Sequence, residues 1–306
     1  MRRLSYCLLI GLIAASACSS TDSQGPDNRL LIVATTSILG DVANTAFGQK
    51  AVVEVIISGT SDPHSYRASP QDVALLRRAD VVFSNGLGLE HALADILTAA
   101  ADDGVTIVNA GDHVGPAPLS TGDAGGPSID DPHFWMDPTR MELVVAELGT
   151  RLALLDPEND AVWTSLAEEY RETLQAVDAE ILDLVQSLPD DKRKLVTNHD
   201  SLGYFAARYG FTVLTTLIRG TSTVAEPSAS DLVAAIEIVR LHDVAAIFTG
   251  VGGSTNLAST VAAEVEREVA VIDLYVGSLG PAGSGAETYI GYLRSNARAI
   301  VDGLKG

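Results

Sequence analysis

Apolar residues along the chain fall into two alternating patterns. Short β-rich runs, "LLIVATT" (30–36), "AVVEVII" (51–57), "DVVFSN" (80–85) and "VTIVNA" (105–110), read as buried strands. Stretches of helical period lie between them, as with Val73, Leu75 and Leu76 in "QDVALLRRA". The pattern resumes after residue 190 with "KLVTNH" (194–199), "TVLTTLI" (212–218), "VAAIFTG" (244–250) and "VAVIDLYV" (269–276), separated by the helical patterns "SLGYFAARYG" and "SDLVAAIEIVRLHD". Strand–helix alternation predicts parallel α/β units. The expected fold is therefore α/β in two lobes, each with a mainly parallel sheet flanked by helices.

The middle of the chain differs. No Gly or Pro occurs from Asn159 to Ser187, and Trp163, Leu166, Tyr170, Leu174, Val177, Ile181 and Leu184 follow at spacings of three or four. This predicts one amphipathic helix of roughly 40 Å, stiff enough to join two lobes. Helix starts are marked by Ser69-Pro70-Gln71-Asp72, by Asp137-Pro138, and by Ser228 with Asp231. The segment 114–131 reads as a Gly/Pro-rich loop.

The N-terminus reads as an export signal. Arg2 and Arg3 precede the apolar "YCLLIGLIAA", which is too short to span a bilayer comfortably, and "ASAC" ends it with small residues before Cys18. That ending resembles a bacterial lipobox, with Ala15 where Leu is commoner, and implies cleavage before Cys18 and lipidation of its thiol. The division expected is signal peptide 1–17, lipidated tether 18–28, N-terminal lobe 29–140, connecting helical region 141–190 and C-terminal lobe 191–306. The expected location is the outer face of the cell membrane, through the lipid anchor, or the periplasm, and the expected state is a monomer.

Composition narrows the chemistry. Cys7 lies inside the signal and Cys18 at its end, so disulfides and cysteine metal sites are excluded from the mature domain. Lys+Arg number 20 against Asp+Glu 40, a net charge of -20. Such a chain repels nucleic acid and suits cationic partners. An acidic surface also serves solubility alone, so charge excludes partners more than it names one.

Six histidines are present. Two follow the same pair of residues, in Asp62-Pro63-His64 and Asp131-Pro132-His133. Proline locks its own φ and holds the preceding residue extended, so each imidazole projects from a stiff turn. His199 follows the strand pattern "KLVT". All three stand at carboxyl ends of strands or on loops leading into helices, the edge where open α/β sheets bind ligands. A nearby carboxylate would accept the proton of the non-ligating ring nitrogen; Asp62, Asp131, Asp137 and Asp200 are the candidates. His91, His113 and His242 read as structural or solvent-exposed.

The segments "DPHSYRASPQDVALLRRADVVFSNGLGLE", "DPHFWMDP", "LVTNHDSLGYFAARYGF" and "STVAEPSASDL" together resemble the zinc/manganese-binding lipoproteins of bacterial ABC importers, over nearly the whole mature chain. The resemblance implies a metal between the lobes, held by His64, His133 and His199, and an ABC permease as partner. A fourth family ligand, usually Asp, falls at Gly277 here, and Gly250 stands where relatives often carry Glu. Asp273 lies nearby, four residues early and within a strand. Three imidazoles with an oxygen suit Zn²⁺ in tetrahedral geometry, whereas Mn²⁺ prefers carboxylates and more ligands. Zinc is therefore expected as cargo, with manganese the alternative, and its affinity is expected to fall as pH drops through about 6.5. A hydrolase with a three-histidine zinc is the rival, against which no Glu adjoins a ligand as in His-Glu-x-x-His. Some relatives of this kind are described as adhesins, but no residue here supports adhesion separately.

Overall fold

The computed structural model describes residues 29–120, 128–218, 227–251 and 255–305. The signal, the tether and Cys18 lie outside them.

In the first half β1 (Leu30–Thr36), α1 (Ser37–Phe47), β2 (Ala51–Ile57), α2 (Pro70–Leu76), β3 (Val81–Ser84), α3 (Ala94–Asp102) and β4 (Thr106–Asn109) form a four-stranded sheet in the order β2-β1-β3-β4. Every pairing in it is parallel. A hairpin follows, β5 (Pro118–Ser120) with β6 (Ser128–Asp130), antiparallel. It lies in the segment expected to be loop. Three-residue strands among Gly and Pro carry no periodicity that would reveal them.

The middle holds two helices, α4 (Pro138–Leu155) and α5 (Asp160–Gln186). Asp137 caps α4, accepting from the Thr139 amide, with Pro138 in the first turn. The long helix expected over 159–187 is α5. It buries Trp163, Tyr170, Leu174, Val177, Ile181 and Val185, one stripe along its length. Gly149 of α4 meets it closely: a Cβ there would lie 2.8 Å from Ala167 Cβ.

The second half repeats the first. Strand β7 (Lys194–Thr197), α6 (Gly203–Tyr209), β8 (Thr212–Thr216), α7 (Ala229–Leu241), β9 (Ala246–Gly250), α8 (Thr255–Ala263) and β10 (Ala270–Leu274) give a second parallel sheet, in the order β8-β7-β9-β10. Residues of the inner strands β3, β7 and β9 are almost all buried, while β8 and β10 are more exposed at the edges. This is the pattern of parallel sheets covered on both faces. All eight β-rich runs therefore form strands.

The last helix, α9 (Tyr289–Lys305), has no counterpart among the elements expected from the sequence. It packs against α5, α1 and β10. One hydrophobic core accordingly runs through both halves, from Ile32 and Phe83 through Trp163 and Leu174 to Phe248 and Tyr292. No helix among the described residues is long and apolar enough to cross a membrane.

Candidate metal centre

In each sheet the chain leaves a central strand for one neighbour and then crosses to the other side. Such a switch point opens a crevice at the carboxyl ends of the strands. His199 stands two residues beyond β7, the strand between β8 and β9. His64 lies on the loop from β2 to α2, which the Ser69–Asp72 capping box terminates. His133 comes off β6, immediately before the 134–136 turn and the Asp137 cap.

The fold brings these three rings together. Each offers one nitrogen, and the three nitrogens lie within 4.8 Å of one another, the one such grouping of His, Cys, Asp or Glu among the described residues. The Nε2 atoms of His64 and His133 are 3.2 Å apart. His133 is 1% exposed and His199 6%, while His64 is half-buried.

Both Asp-Pro-His tripeptides form the same turn, the aspartate accepting from the histidine amide, at 3.0 Å in Asp62 and 2.9 Å in Asp131. They differ at the ring. Asp131 Oδ1 also accepts from His133 Nδ1 at 2.7 Å, which places the proton on Nδ1 and leaves the Nε2 lone pair facing the other imidazoles. Asp62 instead accepts from the Ser65 hydroxyl at 3.2 Å, and Asp137 serves as the α4 cap.

The His133 turn is held from beneath. Asn85 Nδ2 donates to the Pro132 carbonyl at 3.1 Å, and the Asn85 and Gly86 amides donate to the Glu90 carboxylate at 2.7 and 3.2 Å. Thr35 also donates to Glu90. Burial pushes the Glu90 carboxyl above its usual range, opposed by these donors. From the second half, the Tyr204 hydroxyl donates to the Asp131 carbonyl at 3.0 Å. Glu90, Asn85 and Tyr204 are supporting residues that no sequence motif announced. The "NGLGLE" stretch was visible, but not the contact it makes.

Burial, and then repulsion from the His133 imidazole, lowers the His64 pKa from 6.5 to about 4. The same causes lower that of His199 to about 3. Burial and mutual repulsion therefore keep the His64 and His199 imidazoles neutral well below the ordinary imidazole range.

No carboxylate joins the three nitrogens among the described residues. Asp273 is exposed on the edge strand β10, where its carboxylate accepts from Thr249 of β9. Gly277 lies at the site: a Cβ there would sit 3.3 Å from Pro63 Cδ, beside His64. At Gly250 a Cβ would run into Val276 Cγ2 at 2.8 Å. The other histidines stand apart. His91 begins a short 3-10 turn, His113 Nδ1 is 3.9 Å from Glu147 Oε2, and His242 caps the end of α7.

The chain is similar to known metal-binding proteins over most of its length. The manganese-binding lipoprotein MntA of Halalkalibacterium halodurans is 29% identical over 308 residues, 99% of each chain. Among solved structures, the periplasmic zinc-binding protein TroA from Treponema pallidum matches with a TM-score of 0.81 at 27% identity, over 90% of this chain and 99% of that one. A Mn-bound periplasmic metal-binding protein from Candidatus Liberibacter asiaticus matches with a TM-score of 0.80 at 27% identity, over 90% and 100%. These relatives are named as binding proteins, not enzymes. The model of the family described as zinc-uptake complex component A, periplasmic, matches residues 32–303, and the chain belongs to that family of extracytoplasmic metal-binding receptors of ABC transporters.

Proposed function

We propose that the chain captures Zn²⁺ on His64, His133 and His199 and delivers it to an ABC permease. The observation that carries this reading is the convergence of three imidazole nitrogens, from both halves of the chain, within 4.8 Å of one another. Two of the rings are held neutral by burial, and neutral imidazole is the ligating form. The fourth position of a tetrahedral ion falls to water or another small donor, because Gly277 supplies no side-chain oxygen. Manganese, named in MntA, would ask for carboxylate oxygens that the cluster lacks. This donor set is the reason for preferring zinc.

Cleavage before Cys18, lipidation of its thiol and anchoring of a monomer to the outer face of the membrane belong to the same reading. So does its division into lobes at 29–140 and 191–306 about a helical region at 141–190.

Elemental analysis with competition titration of Zn²⁺ against Mn²⁺ tests the reading. One equivalent of zinc is expected at the higher affinity. His64→Ala, His133→Ala and His199→Ala should each lose stoichiometric binding. Retention of one tightly held zinc in all three variants would remove the histidines from the site.

A further inference from the structure

One side chain touches both walls of this site. Trp135 lies two residues beyond His133 and is 2% exposed. Its ring meets the His133 ring edge-on, with centroids 5.3 Å apart and planes at 66°. Its indole N–H reaches into the second half of the chain, donating to the Val276 carbonyl at 3.0 Å and to the Tyr292 hydroxyl at 3.1 Å. The Trp135 carbonyl in turn accepts from the Tyr289 hydroxyl at 2.6 Å.

Val276 immediately precedes Gly277, whose Cα faces Pro63 and so the loop that carries His64. His133 is thus boxed, with the Asp131 carboxylate at Nδ1 and the indole against its ring. A large buried aromatic has almost no room to shift. Moving the 276–277 wall away from His133 would break the indole hydrogen bond.

We propose that Trp135 is a positioning residue that sets the width of the site, and with it the discrimination between a small four-coordinate ion and a larger one. This rests on the zinc reading above. A width held fixed suits Zn²⁺, whose donors sit at about 2.0–2.1 Å. It penalises Mn²⁺, which calls for more ligands around it.

Trp135→Phe keeps an aromatic ring against His133 and removes the N–H. The Val276 carbonyl keeps a second donor within reach, the Tyr292 hydroxyl at 3.1 Å, whose one proton it shares with Met136 Sδ at 2.8 Å. Tyr292→Phe removes that second donor and leaves the indole in place. Competition titrations with Zn²⁺ and with Mn²⁺, and the Tm of the metal-free protein, are measured for both variants and the wild type. Zinc affinity is expected to fall about 10- to 100-fold in Trp135→Phe and manganese affinity much less, so the ratio narrows. Tyr292→Phe should move the ratio the same way by a smaller step. A lowered Tm with an unchanged ratio in both variants overturns the positioning role and leaves the zinc reading standing. A wild-type protein that prefers manganese overturns the zinc reading, whatever the variants show. Where Trp135→Phe does not fold, Tyr292→Phe decides by the same ratio.

Discussion

Asp62 and Asp131 show how much one neighbour changes at the level of a residue. Their local turns match, but Asp131 alone of the two holds a proposed ligand ring, at 2.7 Å. Asp131→Asn keeps an acceptor oxygen and loses the charge that raises imidazole basicity. Metal affinity should drop about 10- to 100-fold, while Asp62→Asn changes it much less; competition titration of the two separates them. Gly277→Asp should raise manganese affinity relative to zinc by adding a carboxylate beside Pro63, read from the same titration. The histidines also predict a pH dependence. Their folded pKa values, about 4 for His64 and about 3 for His199, lie below the ordinary 6.5. Between those limits the unfolded chain binds more protons than the folded one, so metal-free stability falls as pH drops below 6.5 and the loss is complete below about 3. Urea unfolding of the metal-free protein at pH 7 and pH 5 should show this loss.

At the level of elements, the helices α4 and α5 cross where Gly149 meets Ala167. A larger residue there has no room. Gly149→Val should cost about 1–3 kcal/mol through overpacking, seen as a lower urea midpoint with an unchanged slope. The α5–α6 contact depends on a buried carboxylate. Asp178 accepts from Arg208 Nε at 2.9 Å, from its terminal nitrogen, and from the Tyr209 hydroxyl at 3.0 Å. The amphipathic stripe of α5 is legible in the sequence, since burial at Trp163, Tyr170 and Leu174 follows its spacing. The role of Asp178 on that stripe is not, because its partners lie about thirty residues downstream on a different helix.

For the whole molecule, the proposed site draws its three histidines from both halves, so an ion bound there would link them. Zinc at about 100 times its Kd should stabilise folding by about 2.7 kcal/mol, and a chelator should reverse the rise in Tm. No change in Tm on adding zinc would mean that the ion does not prefer the folded chain.

Local physics determined much of this protein from sequence alone: eight strands, the long α5, the caps at Ser69, Asp137 and Ser228, and three histidines at strand ends or on loops leading into helices. Each follows from side-chain period or from hydrogen bonds to neighbouring amides, interactions only a few residues long. Tertiary structure decided the rest. It formed the β5–β6 hairpin, laid α9 across both halves, left Asp273 on an exposed edge, and turned His133 rather than His64 onto its aspartate. It also lowered the His64 and His199 pKa values by burying those rings. Those outcomes depend on burial and on which distant segments come into contact. Residues as remote as Trp135 and Val276 share no local signal that could announce their meeting.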